Sequence, residues 1–141
     1  MVTEYEIVYD EHPEQAAWCI IGRGITDYNQ QQAGDDGAQR ICFVIRGPGQ
    51  EIVGGVVAAI YWDWLYIDLM WMKEELRGSG YGSRLLRLAE DEARIRGAKH
   101  AYLDTFSFQA PGFYQKHGYQ VFGELKDFPP GCQRYFMTKQ L

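Results

Sequence analysis

The residue types and spacing most suited to chemistry lie in one glycine-rich stretch, RGSGYG at residues 77–82. It follows an apolar, strand-like run and precedes a helix-like run. Glycine permits tight and left-handed turns. The first amides of a helix have no partners within that helix, so they point outward at the positive end of the helix dipole. The stretch therefore predicts a site for an anion such as phosphate or pyrophosphate.

Two other kinds of glycine-rich, phosphate-binding turn can be compared with residues 77–82. A P-loop is excluded, because Gly82-Ser83-Arg84 lacks the lysine that such a loop requires. A dinucleotide-binding fingerprint would need glycine at Ser83, although Asp104 ends the next predicted strand, where a ribose-binding acid would lie. Both a dinucleotide site and a turn that binds nothing therefore stay open at this point.

The composition is that of an ordinary globular protein. The 141 residues are enough for one core, so we expect a single domain over residues 1–141. The net charge is −5, and lysine and arginine are scattered rather than clustered. Such a surface does not suit a nucleic-acid backbone, and we expect no nucleic-acid partner.

Cysteine, histidine and hydropathy patterns restrict the function further. Cys19, Cys42 and Cys132 form no metal-ligand motif, and the three histidines are dispersed, so we predict no metal. No apolar run resembles a signal peptide or reaches the length of a membrane span. We expect a cytoplasmic protein with reduced cysteines and no membrane partner.

Apolar periodicity predicts the elements that would position the glycine turn. The predicted order is β-α-β-β-β-α-β-α-β-β, an α+β fold with a mixed sheet. Predicted strands cover residues 3–10, 41–46, 51–61, 65–72, 98–106, 119–125 and 133–141, and predicted helices cover 12–34, 83–96 and 107–118. Gly22 and Gly24 are expected to weaken the first helix.

Two of these elements carry predictions about side-chain direction. In the helix of residues 83–96, the expected apolar stripe includes Leu88, and Glu90 is expected on the charged face. In the strand of residues 65–72, alternation places four side chains on one face. These four are Tyr66, Asp68, Met70 and Met72.

Residues 77–82 resemble the Arg/Gln-x-x-Gly-x-Gly/Ala motif of the GCN5-related N-acetyltransferases (GNAT family). The surrounding LMWMKEELRGSGYGSRLL is similar to the strand, turn and helix of that family. FYQKHGY at residues 113–119 resembles the family's Phe/Leu-Tyr-x-x-x-Gly-Phe/Tyr segment. The resemblance covers residues 51–125, points to a bacterial branch acting on small molecules, and agrees with the element order of the whole chain.

The resemblance implies an acetyl-CoA-dependent N-acetyltransferase. Acetyl would move to a primary amine of a small molecule or peptide by direct attack in a ternary complex, and members often form homodimers. The family's sheet is mostly antiparallel and is splayed between the fourth and fifth strands, here residues 65–72 and 98–106. Expected cofactor contacts are Met70, Trp71, Met72, Arg77, Gly78, Ser79, Gly80, Tyr81, Gly82 and Ser83.

Catalytic and acceptor residues follow from the same resemblance. Tyr114 occupies the position of the family's general acid, which would protonate or stabilise the leaving thiolate. Asp68, the only carboxylate of its strand, is a candidate base. Tyr28 lies in the region of the family's acceptor site, and Trp62 could attract a cation through its ring face.

Two functions of other classes remain at this stage. A protein of the same fold could bind acyl-CoA as a sensor without turnover. A dinucleotide-binding oxidoreductase is the third reading, and preference for NAD over CoA would reveal it.

Overall fold

The computed structural model describes residues 4–141 and divides into two compact units, Met1–Asp36 and Gly37–Leu141. The N-terminal unit contains a short 3-10 turn, Pro13–Gln15, and helix α1, Ala17–Ala33. Gly34 ends α1 with φ +82°, and its N–H donates to the Gln30 carbonyl oxygen at 2.8 Å. The helix runs unbroken through Gly22 and Gly24, because a glycine removes a side chain but keeps its backbone hydrogen bonds.

The predicted first strand, residues 3–10, is wrong over the part that the structure describes. Residues 4–10 have no regular secondary structure, and Thr3 lies outside the described residues. Alternating polar and apolar residues need a neighbouring strand to satisfy their backbone groups. Residues 4–36 contain no second strand with which this segment could pair.

The C-terminal unit is built on one six-stranded sheet with the order β1-β2-β3-β4-β6-β5. Its strands are β1 Gln39–Arg46, β2 Ile52–Tyr61, β3 Trp64–Met72, β4 His100–Phe106, β5 Gln120–Lys126 and β6 Gln133–Gln140. Its helices are α2 Tyr81–Ile95 and the short α3 Pro111–Lys116, and a 3-10 turn, Glu74–Leu76, precedes α2. The expected α+β fold is therefore confirmed.

The sheet opens at its centre, between β3 and β4. These two strands are parallel and pair only from Trp64 to Tyr66, opposite His100 to Tyr102. Every other neighbouring pair in the sheet is antiparallel. Beyond Tyr66 the two strands have no register partners in each other, which confirms the predicted splay.

Helix α2 covers the core on one face of the sheet. Its buried apolar side chains are Leu85, Leu86, Ala89 and Ala93. Leu88, expected in this stripe, is 45% exposed, whereas Glu90, expected in solvent, is 2% exposed. Residues four apart share a helix face, which places Glu90 directly beside the buried Leu86.

The buried Glu90 carboxylate is fully partnered. The Tyr119 hydroxyl donates to it at 2.9 Å, and the Lys139 ammonium contacts both carboxylate oxygens at 2.9 and 3.1 Å. A buried charge is tolerated when it is paired and hydrogen-bonded. This cluster ties α2 to the segment after α3 and to β6.

Candidate active site

The opening between β3 and β4 forms a cavity of about 1060 Å³ in the C-terminal unit. We call this cavity the cleft. Its lining comes from β3, from the glycine turn and the start of α2, from the end of β4 and the loop after it, from α3 and from β6. The residues that line it are Tyr66, Ile67, Asp68, Leu69, Met70, Trp71, Met72, Arg77, Gly78, Gly80, Gly82, Ser83, Asp104, Thr105, Phe106, Phe108, Gln109, Ala110, Phe113, Tyr114 and Arg134.

The glycine turn takes its shape from two left-handed residues. Gly78 has φ +77° and Gly80 has φ +87°, conformations that other residues adopt only with strain. Gly80 is the N-cap of α2, and no side chain caps the helix there. The amides of the first turn of α2 are therefore without a side-chain acceptor at the edge of the cleft, an arrangement suited to an anion.

Gly82 differs from Gly78 and Gly80 because it has no positive φ and packs against neighbouring side chains. A Cβ on Gly82 would lie 3.4 Å from Met72 Cε and 3.4 Å from Phe113 Cζ. At Gly78 and Gly80 an added Cβ would meet nothing within 4 Å. Within the motif, a requirement for glycine therefore rests on the backbone conformation of Gly78 and Gly80.

The turn is anchored on both sides. Arg77 Nε donates to the Met72 carbonyl oxygen at 3.3 Å, which joins the turn to the end of β3. Ser83 Oγ lies 2.9 Å from His117 Nε2, which joins the start of α2 to the end of α3. Burial lowers the pKa of His117, so its neutral imidazole is favoured as the partner of the serine hydroxyl.

A β-bulge at Asp68 interrupts β3. Val57 of β2 pairs with Leu69, and Ala58 pairs with Ile67, so Asp68 is the extra residue without a partner in the register. A bulge redirects the side chains around it. The Asp68 side chain is exposed and lines the cleft.

The bulge corrects the predicted face of β3. Met70 lies opposite Val56 and Met72 opposite Gly54, on the side of the sheet that buries Val56 and faces α2. Tyr66 lies opposite Ala59, on the other side. The four side chains expected on one face are therefore divided, because one extra residue inverts the alternation that follows it.

Tyr114 is the buried phenol of the cleft. It lies on α3, is 9% exposed, and has edge-to-face ring contacts with Phe113 and Tyr119. Its hydroxyl makes no hydrogen bond within the described part of the chain. Burial raises its pKa above the usual value of 10.0, so the phenol is protonated at neutral pH.

Part of the cleft lining is charged and aromatic. Arg134 Nε and Nη2 lie 2.8 and 2.7 Å from Asp104 Oδ1. Tyr66 stacks on Tyr102 with ring centroids 4.8 Å apart. Burial, followed by the negative charges of Asp104 and Asp68, raises the pKa of Tyr66.

Most of the residues expected from the sequence line the cleft. Those brought together there are Asp68, Met70, Trp71, Met72, Arg77, Gly78, Gly80, Gly82, Ser83 and Tyr114. Ser79 and Tyr81 belong to the turn and to the first position of α2 but are not lining residues. Trp62 lies in the β2–β3 turn with φ +44°, and Tyr28 lies on α1 in the N-terminal unit.

Sequence reasoning did not assign Phe106, Phe108, Asp104 or Arg134 to this site. Arg134 reaches the cleft because β6 pairs with β4, which places it opposite Phe106. That pairing joins segments nearly thirty residues apart, and no local pattern reports it. The sequence indicated Asp104 only as an acid at a strand end where a dinucleotide ribose would lie.

Two findings concern other kinds of site. Within residues 4–141, no group of three or more His, Cys, Asp or Glu side chains is arranged to hold a metal ion. Over the same residues, no helix combines the length and apolar character that a membrane span needs.

Comparison with known sequences identifies the family. The sequence model of the acetyltransferase (GNAT) family matches residues 4–119. Blasticidin-S acetyltransferase from Streptomyces morookaense is 42% identical over 96 residues, which are 67% of this chain and 71% of that protein.

Solved structures agree with this result. An acetyltransferase from Bacillus cereus ATCC 14579 is 32% identical, with a TM-score of 0.85 over 98% of both chains. A structure from Bacillus anthracis str. Ames in complex with acetyl coenzyme A shares the fold at 20% identity, with a TM-score of 0.63 over 72% of this chain and 62% of that chain. The resemblance at residues 77–82 and 113–119 is thus confirmed, and the chain belongs to the acetyltransferase (GNAT) family.

Proposed function

We propose that this chain transfers the acetyl group of acetyl-CoA to a primary amine of a small molecule by direct attack while both are bound. Residues 1–141 act in this proposal as one acetyltransferase domain, since the family match begins in the first compact unit and continues through most of the second. The name of the blasticidin-S relative favours a small acceptor over a protein. The observation that carries the proposal is a single cleft holding both an uncapped helix start and a buried phenol.

The turn fits the pyrophosphate of acetyl-CoA. The left-handed Gly78 and Gly80 leave open space around their Cα atoms, where a phosphate can approach the backbone. The exposed amides and the dipole of α2 favour negative charge there. Arg77 also lines the cleft and adds a positive charge.

The unpaired edge of β3 fits the amide-containing arm of acetyl-CoA. Beyond Tyr66, this edge has no pairing with β4. Backbone groups left without a partner strand can hydrogen-bond to ligand amides. We assign this contact to the backbone around Met70 and Met72.

Tyr114 is assigned the role of general acid. Acetyl-CoA supplies the acetyl group as a thioester, and the leaving sulfur must gain a proton or be stabilised as a thiolate. The raised pKa of Tyr114 keeps the phenol protonated at neutral pH, and its hydroxyl has no competing partner in the described residues. It can therefore donate a proton to the sulfur.

Asp68 is assigned the role of base. An alkylamine has a pKa near 10.4 and must lose a proton before its nitrogen can attack. The Asp68 carboxylate lines the cleft and makes no hydrogen bond or ion pair with any residue that the structure describes. The bulge thus presents a free carboxylate to the ammonium, which it can attract and deprotonate.

Ligand-dependent melting tests the donor site. Acetyl-CoA, CoA and NADH are added separately, and the melting temperature is measured for each. A ligand at about 100 times its Kd adds about 2.7 kcal/mol of stability. For a domain of this size that corresponds to a rise of roughly 5–15 °C. We expect a rise with both CoA species and none with NADH; no rise with CoA would overturn the proposal.

Thiol release during incubation with acetyl-CoA and a panel of amines then tests catalysis. Amine-dependent release of CoA supports the proposed transfer. Tight binding of acetyl-CoA without release for any amine would instead favour an acyl-CoA-binding module without turnover.

A further inference from the structure

Phe106 and Phe108 line the cleft, and with Phe128, which lies outside that lining, they form a row of phenylalanine rings in near-parallel planes. The Phe106 and Phe108 rings have centroids 5.2 Å apart and an interplanar angle of 5°. The Phe106 and Phe128 rings are 5.7 Å apart at 22°. Phe108 has no other ring contact within residues 4–141, so it is one end of this row.

The position of Phe108 is fixed by its neighbours. The Ser107 N–H donates to the Gln133 carbonyl oxygen at 2.8 Å, and the Gln133 N–H donates to Ser107 Oγ at 3.1 Å. On the other side, the Gln109 side-chain oxygen accepts from the Phe106 N–H at 2.9 Å. The loop that carries Phe108 is therefore hydrogen-bonded on both sides of this residue, which preorganises its backbone, while the ring itself stacks on Phe106.

One side of the row is already occupied by a cation of the chain itself. The Arg134 guanidinium lies 5.4 Å from the Phe106 ring centre and 5.2 Å from that of Phe128. Asp104 holds this guanidinium in place. Phe108 has no such contact and is 62% exposed, although it lines the cleft.

We propose that Phe108 stacks on a flat ring of the acceptor and thereby makes this enzyme selective for amines that carry an aromatic or heteroaromatic group. The inference rests on the proposed function and names the substrate class of the same site. A planar ring can continue the row of phenylalanines with its face against Phe108. Asp68, in the same cleft, then attracts the ammonium of that acceptor.

Matched amines and matched variants test the inference. Phenethylamine and 2-cyclohexylethylamine have rings of similar size, but only the first ring is flat and aromatic. Phe108→Leu keeps an apolar side chain without an aromatic face, and Phe108→Tyr keeps the face. Phe122→Ala is the control, since Phe122 is equally exposed at 62% but does not line the cleft.

The expected result is a preference for phenethylamine in the unaltered enzyme. Phe108→Leu should raise KM for phenethylamine by about 5- to 100-fold, as for the loss of a stacked ring. It should leave KM for the cyclohexyl amine and the Kd for acetyl-CoA nearly unchanged. Phe108→Tyr should retain the preference, and Phe122→Ala should leave both KM values unchanged.

Other outcomes separate the inference from the function on which it rests. Equal use of both amines, or equal losses for both in Phe108→Leu, would overturn the stacking role and leave the acetyltransferase intact. If acetyl-CoA binds but no amine tested causes release of CoA, the proposed function is wrong, and the inference about Phe108 is wrong with it.

Discussion

At the scale of single residues, the two proposed proton-transfer groups differ in environment. The Tyr114 hydroxyl belongs to a buried ring whose pKa is raised by burial alone. The Asp68 carboxylate stands in an exposed position on a bulge. The raised pKa keeps the Tyr114 phenol protonated at neutral pH, which suits an acid, and the exposed position of Asp68 leaves its carboxylate accessible to an ammonium, which suits a base.

Tyr114→Phe should lower kcat by about 100-fold or more, the usual contribution of general acid catalysis. The Kd for acetyl-CoA should change little, because the ring and its packing are kept. Thiol release and calorimetric titration measure the two quantities. Tyr135→Phe, on β6 and outside the lining of the cleft, is the control. A wild-type kcat for Tyr114→Phe would assign the acid role to another group or to water.

Asp68→Asn should lower kcat/KM for the amine by about 100-fold or more, because an amide cannot accept the ammonium proton. The asparagine side chain has nearly the same shape as that of aspartate, so the β-bulge and acetyl-CoA binding should persist. Glu75→Gln provides the comparison, since Glu75 lies in the 3-10 turn outside the cleft lining. If both variants retain the same amine kinetics, another group must take up the proton.

At the scale of elements, the strand–turn–helix unit from β3 to α2 builds the proposed donor site. The left-handed Gly78 and Gly80 let the chain turn from the edge of β3 into the helix axis. The Arg77–Met72 and Ser83–His117 contacts hold the turn between β3 and α3. The direction of the uncapped α2 amides therefore depends on these glycines.

Gly80→Ala should weaken acetyl-CoA binding, because a Cβ at φ +87° costs about 1–2 kcal/mol and shifts the backbone of the turn. The expected increase in Kd is about tenfold, measured by calorimetric titration. Gly112→Ala is a matched control: its added Cβ also meets nothing within 4 Å, but Gly112 lies in α3 without a positive φ. Equal Kd values for the two variants would argue against the turn as the pyrophosphate site.

At the scale of the whole molecule, one buried charge cluster joins distant parts of the C-terminal unit. Glu90, Tyr119 and Lys139 come from α2, from the segment before β5 and from β6. Burial, followed by the charge of Glu90, raises the pKa of Tyr119 above its usual value of 10.0. The folded unit therefore retains the phenolic proton at pH values where the unfolded chain releases it.

The free energy of unfolding should be steady between about pH 8 and about pH 10 and fall above that range, since the unfolded state then binds fewer protons. Tyr119→Phe should make the loss of unfolding free energy above about pH 10 less steep. Part of the loss should remain, because the pKa values of Tyr114 and Tyr66 are also raised in the folded state. At neutral pH the variant should lose about 1–3 kcal/mol, because Glu90 loses a buried hydrogen bond. Urea unfolding from about pH 8 to about pH 11 measures both effects. An unchanged slope would exclude Tyr119 as a source of the alkaline loss.

The sequence by itself determined the family, the glycine turn and most of the elements. These depend on local patterns: glycines at fixed spacing, a Pro near the start of α3, and apolar periodicity in α2 and the strands. Local pattern failed for residues 3–10, where alternation predicted a strand. A strand is stable only with a partner, and no local pattern supplies one.

Only the tertiary structure decided which side chains meet in the cleft. The bulge at Asp68 is a mismatch between β2 and β3, so it inverts the later alternation without any mark in β3 alone. Arg134 and Asp104 meet through the register of β4 and β6, and Glu90 is buried because Tyr119 and Lys139 reach it. Strand register and charge pairing bring together residues that are distant in sequence. Local sequence patterns therefore do not show which side chains meet, because these contacts exist only in the folded chain.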